Sequence, residues 1–572
     1  MNNLKNSHLA SIEKPWMKYY PEELQNIELP TMSICDYITS KQHDLNDMAI
    51  QYYGVSFSWN EILTMKNKIA KSLIAYGIEP YDQIGVFLKA TPEFIALFLA
   101  AEQVGASLIC RDGTIEENAF AVRQGEAKLV FIPDYISFKE EIAMCNVPYV
   151  TTLVKVPSFY KKAQYKVPSH SSNTYKKLFD GYDFNSEKTI AYDTFLENGK
   201  SIKLNDDFDN IEDKYHQPLL RAYTTGTTDT SKQVIHSTMS ILGILVQMSS
   251  FSVSTEHRMT WLHAILPPSL VAVVISMLLT PLANNNLLIL DPFCEPEDID
   301  LDFLIYKPNC IAMIPMFMYV LINSDRIPDD FDMSFLYKIG AGAEPMNNHQ
   351  IHMAQQFLKK HNCKAMLTNG YGLSEAGSNC VFPNPDFKIE NCCYGMPMPN
   401  TILAAFDENN NELPYNEIGE ICKSGYGNMI GYDNQDATDK VLVTHPDGTK
   451  WLHTGDIGYV TEDGAVYILN RGFTRDSDGH LLCAIPLENK VAGIDGVKDL
   501  FFLMLEDNDN YIPYLFVILE DGVSVDDIID DIHNRLEDYE YPRRIIELNE
   551  RPFFHFKTNR KGLTQQLLDK AI

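Results

Sequence analysis

The chain has 11 cysteines but no CxxC spacing, and its only adjacent pair is Cys392-Cys393. Neither a zinc site nor a disulfide framework is therefore indicated, and a reducing, cytoplasmic setting is expected. Positive charge is also short. Lys and Arg number 47 against 77 Asp and Glu, a formal net charge of −30. Nucleic acid or an anionic membrane as the main ligand would meet a repulsive field. A nucleotide arriving with its own magnesium stays compatible, because a few placed cations reverse the sign locally. The N-terminal stretch "MNNLKNSHLASIEKPWMKYY" lacks an apolar core followed by a small-residue cleavage site, so secretion is not expected. Long apolar runs are scarce. The one that reaches membrane-spanning length, "AILPPSLVAVVISMLLTPLA" at 264–283, is interrupted by Pro267-Pro268 and Pro281. It reads as a buried core helix, with no integral membrane segment expected. No internal repeat or low-complexity tract is visible.

What remains is an ordinary globular composition, 45% hydrophobic and 22% charged, over 572 residues, enough for several cores. Short apolar runs alternate with amphipathic stretches: "QIGVFL" at 83–88, "PEFIALFLAAEQVGA" from Pro92, "AKLVFIP" at 127–133, "NLLIL" at 286–290 and "CIAMIP" at 310–315. This predicts repeated β-α units and an α/β body with largely parallel sheets. Residues 154–213 are polar and aperiodic, as in a surface excursion. From Trp451 the strands shorten, with turn signals at Asp447-Gly448, Asp463-Gly464 and Asp478-Gly479, and a small α+β domain is expected after about residue 473. The expected division is 1–473 and 474–572.

The stretch "YTTGTTDTSKQVIHS" at 223–237 concentrates small hydroxyl residues around a glycine: Thr224, Thr225, Gly226, Thr227 and Thr228, followed by Lys232. Backbone N–H groups and hydroxyls can converge there on phosphate oxygens, with the lysine supplying charge. The glycine spacing of a P-loop is absent, and by itself the stretch reads equally well as a polar turn between strands.

Read with other segments, the loop resembles the "TSGTTGxPKG" signature of the adenylate-forming superfamily of acyl-CoA synthetases, nonribosomal adenylation domains and luciferases. "GAGAEPM" at 340–346, "NGYGLSEAG" at 369–377, "GEICKSGYGNMIGY" from Gly419, "WLHTGDIGYVTEDG" from Trp451, Asn470-Arg471 and Lys561 are each similar to a family motif, in the family's order. The opening "KPWMKYYPEELQNIELPTMSICDYI" is similar to that of fatty-acyl-CoA ligases. The resemblance implies a large body of β-α lobes with a distorted barrel, plus a small mobile C-terminal domain. It implies ATP, Mg2+ and coenzyme A, or a carrier protein's phosphopantetheine arm, as reaction partners of a small carboxylic acid. Gly342, Ala343, Glu344, Asn369, Gly370, Tyr371 and Gly372 would border the nucleotide, Tyr371 lying against adenine. Ser374 would touch the α-phosphate, Glu375 would hold the metal, Asp456 would take the ribose diol with Arg471 in support, and Lys561 would bridge carboxylate and α-phosphate.

Several positions depart from the family pattern. Asp229, Ser231 and Gln233 replace glycine, proline and glycine; Asn470 and Arg560 replace glycines; and the pivot aspartate of the hinge has no clear counterpart. "AILPPSL" stands where a histidine gates the acyl pocket in many relatives, leaving His236 and His263 to structural roles. The aspartate that grips an amino acid's ammonium has no counterpart either, which favours an acid without an α-amino group. These readings converge on an ATP-dependent ligase for a fatty or other apolar acid. The alternatives are an adenylation enzyme loading a carrier protein and a nucleotide-binding relative that no longer catalyses.

Overall fold

The computed structural model describes residues 8–133, 147–152, 168–171, 174, 189–204, 213–224, 231–250, 258–508, 510–554 and 556–569. Two largely parallel sheets form the body. One has seven strands in the order Leu367–Gly370, Lys338–Gly342, Cys310–Met313, Thr260–Ala264, Leu287–Asp291, Met48–Tyr52 and Val55–Ser58. The other has eight, running from Gly431–Tyr432 through Gln233–Ser237, Pro218–Tyr223 and Ser107–Cys110 to Thr189–Ala191. Helix Pro92–Val104 is buried on nearly every face, from Phe94 and Ile95 to Phe98 and Leu99, so it belongs to the shared core. Thr91 caps it by accepting from Phe94 N, Pro92 occupies its first turn, and Gly105 ends it in the left-handed region.

The apolar run at 264–283 is not one helix. Ala264 ends a strand, and helical structure begins only at Val271 and runs to Ala283, after the Pro267-Pro268 segment. Its helical part is buried in the core, and no described helix is long and apolar enough to cross a membrane.

A third, antiparallel sheet follows, in the order Val381–Phe382, Cys393–Pro397, Val466–Arg471, Lys450–Val460, Gly419–Gly425 and Thr401–Phe406, with its own core around Trp451 and Ile421. This lobe stands where the distorted barrel is expected. The smaller C-terminal domain packs strands Val497–Asp507, Asn510–Leu519 and Ile545–Glu547 against helices Ala484–Val491, Val525–His533 and Arg560–Leu568. Its cores, around Phe502 and Leu515 on one face and Phe501 and Phe516 on the other, draw among the described residues on none before Ala484. That is a small α+β unit of the kind expected after about residue 473.

Candidate active site

The hydroxyl-rich loop joins two antiparallel strands, Pro218–Tyr223 and Gln233–Ser237. Thr225, Gly226, Thr227, Thr228 and Asp229 lie outside the described residues. The base of the loop is closed by Thr224. Its N–H donates to Lys232 O at 2.9 Å, its hydroxyl accepts from Lys232 N at 3.1 Å, and its carbonyl accepts from Ser231 Oγ at 2.7 Å. Ser231 therefore makes a bond that proline could not. Gln233 is buried, donating to Tyr223 Oη at 3.0 Å and accepting from Arg221 Nη1 at 3.2 Å. Two departures from the family pattern are thus built into the local packing.

Lys232 is exposed, with its ammonium 5.1 Å from the centre of the Tyr432 ring. Tyr432 Oη donates to Glu375 Oε1 at 2.7 Å. Lysine, tyrosine and carboxylate thus lie in a chain that links the loop to the 3-10 turn Ser374–Ala376. Burial and the Glu375 carboxylate push the Tyr432 phenol far up, so it stays a neutral donor. The turn is held from below. His236 Nε2 donates to Ser374 O at 2.7 Å and Met429 N donates to Glu375 O at 2.8 Å. Burial lowers the His236 imidazole to about 4, so it is neutral here. His263 is likewise buried, lowered to about 4, and donates to Leu266 O at 3.0 Å. Both histidines are hydrogen-bonded packing elements.

Strands Lys338–Gly342 and Leu367–Gly370 run parallel and bring Gly342 opposite Gly370, with Ala343 and Glu344 immediately beyond. Ala343 turns into the left-handed region at φ 70°. Asn369 is buried in the strand, and Gly372 pairs with Asn379 across a two-residue ladder. A Cβ on Gly372 would stand 1.9 Å from Ser378 O, so only glycine fits. Tyr371, between them, is buried and donates to Asp456 Oδ2 at 2.8 Å. Arg471 Nη1 donates to Asp456 Oδ1 at 2.8 Å and to Thr454 O at 2.6 Å. Burial and the Asp456 carboxylate push the Tyr371 phenol well up, keeping it protonated for that bond.

Sequence reasoning passed over the support behind Asp456. Glu420 accepts from Gly455 N at 2.8 Å and from His453 Nδ1 at 2.8 Å, while His453 Nε2 lies 3.1 Å from His445 Nε2. Burial raises Glu420, but His453 and the Gly455 N–H outweigh it and bring the carboxyl below its usual range. The signal was present as the Glu of "GEICKSG" and the His of "WLHTGD".

The C-terminal domain reaches this group of residues. Thr558 N donates to both oxygens of Glu344, at 3.2 and 3.4 Å, and the half-buried Lys557 lies near Glu344 and Arg471. Burial lowers the Lys557 ammonium, with Glu344 opposing and Arg471 adding to that effect. Asn559 caps the last helix by accepting from Gly562 N at 3.0 Å, and Lys561 is exposed on the first turn. Arg560 turns back onto its own domain, donating to Phe502 O at 2.6 Å. In the connection between domains, Asn470 Nδ2 donates to Gly472 O at 3.0 Å and to Thr474 Oγ1 at 2.8 Å. Gly472 sits at φ 74° with open space where a Cβ would be.

The chemistry of these donors fits a nucleotide carried with a hard dication. Glu375 offers carboxylate oxygen, the ligand type magnesium takes, and Lys232 and Lys561 are exposed cations.

Comparison with known proteins bears on the nucleotide. The sequence model described as AMP-binding enzyme matches residues 39–433. The probable 4-coumarate–CoA ligase 1 of Dictyostelium discoideum is 23% identical over 575 residues, covering 97% of each chain. The long-chain-fatty-acid–CoA ligase of Bacillus subtilis (strain 168) is 25% identical over 474 residues, covering 80% of each. Among solved structures, ATP-bound MatB from Rhodopseudomonas palustris superposes with a TM-score of 0.75 at 19% identity, covering 94% of this chain and 100% of that one. The anthranilate CoA ligase AuaEII with anthranoyl-AMP superposes at 0.77 and 14% identity, covering 96% and 100%.

Proposed function

The chain belongs to the AMP-binding enzyme family, and from that membership we propose that it joins a carboxylic acid to a thiol through an acyl-adenylate. The observation that carries the proposal is the meeting of two chains of contacts, Lys232–Tyr432–Glu375 and Tyr371–Asp456–Arg471, at a cleft that the C-terminal tail touches through Glu344.

The acid is already ionised at neutral pH, so no general base is needed. One carboxylate oxygen bonds to the α-phosphorus, the α–β bridging P–O bond breaks, and pyrophosphate leaves. The barrier is repulsion between two anions. A magnesium ion on Glu375 would supply charge neutralisation at the phosphates. Asp456, fixed by Tyr371 and Arg471, presents its carboxylate to the ribose hydroxyls. Ser374 stands beside the α-phosphate and Lys561 is the cation that meets the developing charge. Lys557 and Thr558, anchored at Glu344, position the tail that carries it. The residues from Gly342 to Glu344 and from Asn369 to Gly372 form the adenine edge, and Thr224 and Lys232, at the base of the hydroxyl-rich loop, serve the phosphates.

In the second step a thiolate sulfur attacks the acyl carbon and AMP departs. The 474–572 unit turns about the connection at Gly472 to admit the thiol, a hinge closure of the kind glycine permits. Coenzyme A is the acceptor favoured here, since the relatives that align along most of the chain are named as CoA ligases. The substrate is a fatty or other apolar acid without an α-amino group, the two relatives being named for 4-coumarate and a long-chain fatty acid.

The test is acid-dependent ATP–pyrophosphate exchange across an acid library, followed by a choice between coenzyme A and holo-carrier proteins. Exchange with apolar acids and release of AMP on adding coenzyme A are expected. ATP binding without exchange on any acid would overturn the catalytic reading, and transfer to holo-carriers alone would overturn the acceptor.

A further inference from the structure

Away from the nucleotide site, at the end of strand Leu287–Asp291, three metal-ligating side chains come together in the core beside the Asp291 carboxylate. His170, Cys294 and Asp302 bring one ligand atom each within 4.8 Å of one another, and all three are buried. They come from separate parts of the chain. Asp302 lies on helix Ile299–Tyr306, Cys294 follows the strand, and His170 belongs to the polar excursion at 154–213 that sequence periodicity left without a role.

His170 Nε2 lies 2.8 Å from Asp302 Oδ1. The other oxygen, Asp302 Oδ2, is buried and meets no N–H or hydroxyl donor, its carboxylate facing the Cys294 thiol and the Asp291 carboxyl instead. The Cys294 thiol lies within reach of both Glu295 O, at 3.3 Å, and the Asp302 carboxylate. Beside Asp302 stands the fully buried Asp291, whose Oδ1 accepts from Tyr53 Oη at 2.5 Å and whose Oδ2 accepts from Ser171 Oγ at 2.9 Å and Tyr306 Oη at 3.4 Å. A lone pair in such a place is costly unless a donor or cation meets it. The nearest arginine is already engaged, since Arg326 clamps Asp300 through Nε at 2.8 Å and Nη2 at 2.6 Å.

We infer that His170, Cys294 and Asp302, with the Asp291 carboxylate beside them, form a structural site for a divalent transition metal, zinc by its ligand set, that pins the excursion to the parallel sheet. Nitrogen, sulfur and carboxylate oxygen together suit zinc, whereas calcium and magnesium take oxygen alone. Ligands at zinc distances from a tetrahedral ion lie about 3.3–3.8 Å apart, within the spread observed here. One dication balances the thiolate and the Asp302 carboxylate, which a single imidazole cannot. A second cluster, Glu420, Cys422 and His453, lacks this character, because both Glu420 oxygens already accept hydrogen bonds. The cysteine spacing gives no hint of the site, because its ligands are gathered by the fold.

The test uses the full chain, stripped by a chelator and titrated with Co2+ as the probe. Equimolar binding with a thiolate-to-cobalt charge-transfer absorption is expected, lost in Cys294→Ala and retained in Cys422→Ala. Asp302→Asn, which keeps the side chain's shape, is expected to weaken Co2+ binding at least about 10-fold. The chain as purified is expected to carry zinc by mass spectrometry and to melt at a lower temperature once stripped. No charge-transfer band, a band that survives Cys294→Ala or vanishes in Cys422→Ala, or unchanged affinity in Asp302→Asn would each overturn the site.

Discussion

Tyr371 Oη lies 2.8 Å from Asp456 Oδ2, so the residue assigned to the adenine edge also fixes the carboxylate assigned to the ribose. The two assignments are therefore coupled. Tyr371→Phe keeps the ring and removes the donor, leaving Arg471 as the remaining side-chain partner of Asp456. A hydrogen bond to a charged group contributes about 1.5–3 kcal/mol, so ATP binding should weaken by roughly 10- to 100-fold. Calorimetric titration with ATP checks this. An affinity equal to that of the parent chain would separate Tyr371 from nucleotide binding.

Lys561 and Lys557 are four residues apart but differently placed, one exposed on a helix and the other half-buried near Glu344. Lys561→Ala should lower ATP–pyrophosphate exchange by about 10²–10³-fold, as expected for a charge that acts in the transition state. ATP affinity should change by less than about 3-fold. Lys557→Ala should have a smaller effect on exchange, because it removes an anchor and not the reacting cation. The reverse order of severity would transfer the catalytic assignment to Lys557.

The site was legible where its chemistry is local and illegible where it is assembled over distance. Gly372 could be read because only glycine passes Ser378 O, and such a constraint marks the sequence at the position itself. The β-α alternation was readable for the same reason: strand and helix periods are short. Glu420 and His453, 33 residues apart, carry no shared local pattern, and His170 and Asp302 are 132 apart. The run at 264–283 was misread as one helix because periodicity records burial, and its strand, turn and helix are all buried.

The loop departures offer a test of whether a family residue is always an improvement. Gln233 is buried and hydrogen-bonded to both Tyr223 and Arg221. Gln233→Gly removes both bonds, at about 0.5–1.5 kcal/mol each, while Tyr223 Oη keeps Gln124 Oε1 at 3.3 Å and Arg221 Nε keeps Ser107 Oγ at 3.2 Å. Ser231→Pro removes the bond to Thr224 O. Both variants should melt below the parent chain in a thermal scan, with Gln233→Gly the lower. A gain in melting temperature for Gln233→Gly would show that the glutamine is not integrated as described.

Glu102 supplies a pH dependence whose sign can be worked out. It is fully buried on helix Pro92–Val104, and its two oxygens accept from Ile34 N at 2.7 Å and Cys35 N at 3.2 Å. Burial raises the carboxyl to about 7 from 4.5, outweighing those N–H groups and Lys66, with Asp36 adding to the rise. Below about pH 4.5 the folded and unfolded chains both hold the proton. Between there and about 7 only the folded chain does, so stability falls as pH rises. Above that window both forms are ionised and the loss levels off, at about 3 kcal/mol for this shift. Glu102→Gln cannot titrate, and its amide accepts through one oxygen only. It should therefore be less stable than the parent chain at low pH and recover relative to it across the window. Denaturant unfolding of both proteins at several pH values measures that difference, which isolates Glu102 from the other buried acids and histidines. A difference independent of pH would mean that Glu102 is already ionised in the folded chain throughout, with the two N–H groups prevailing over burial.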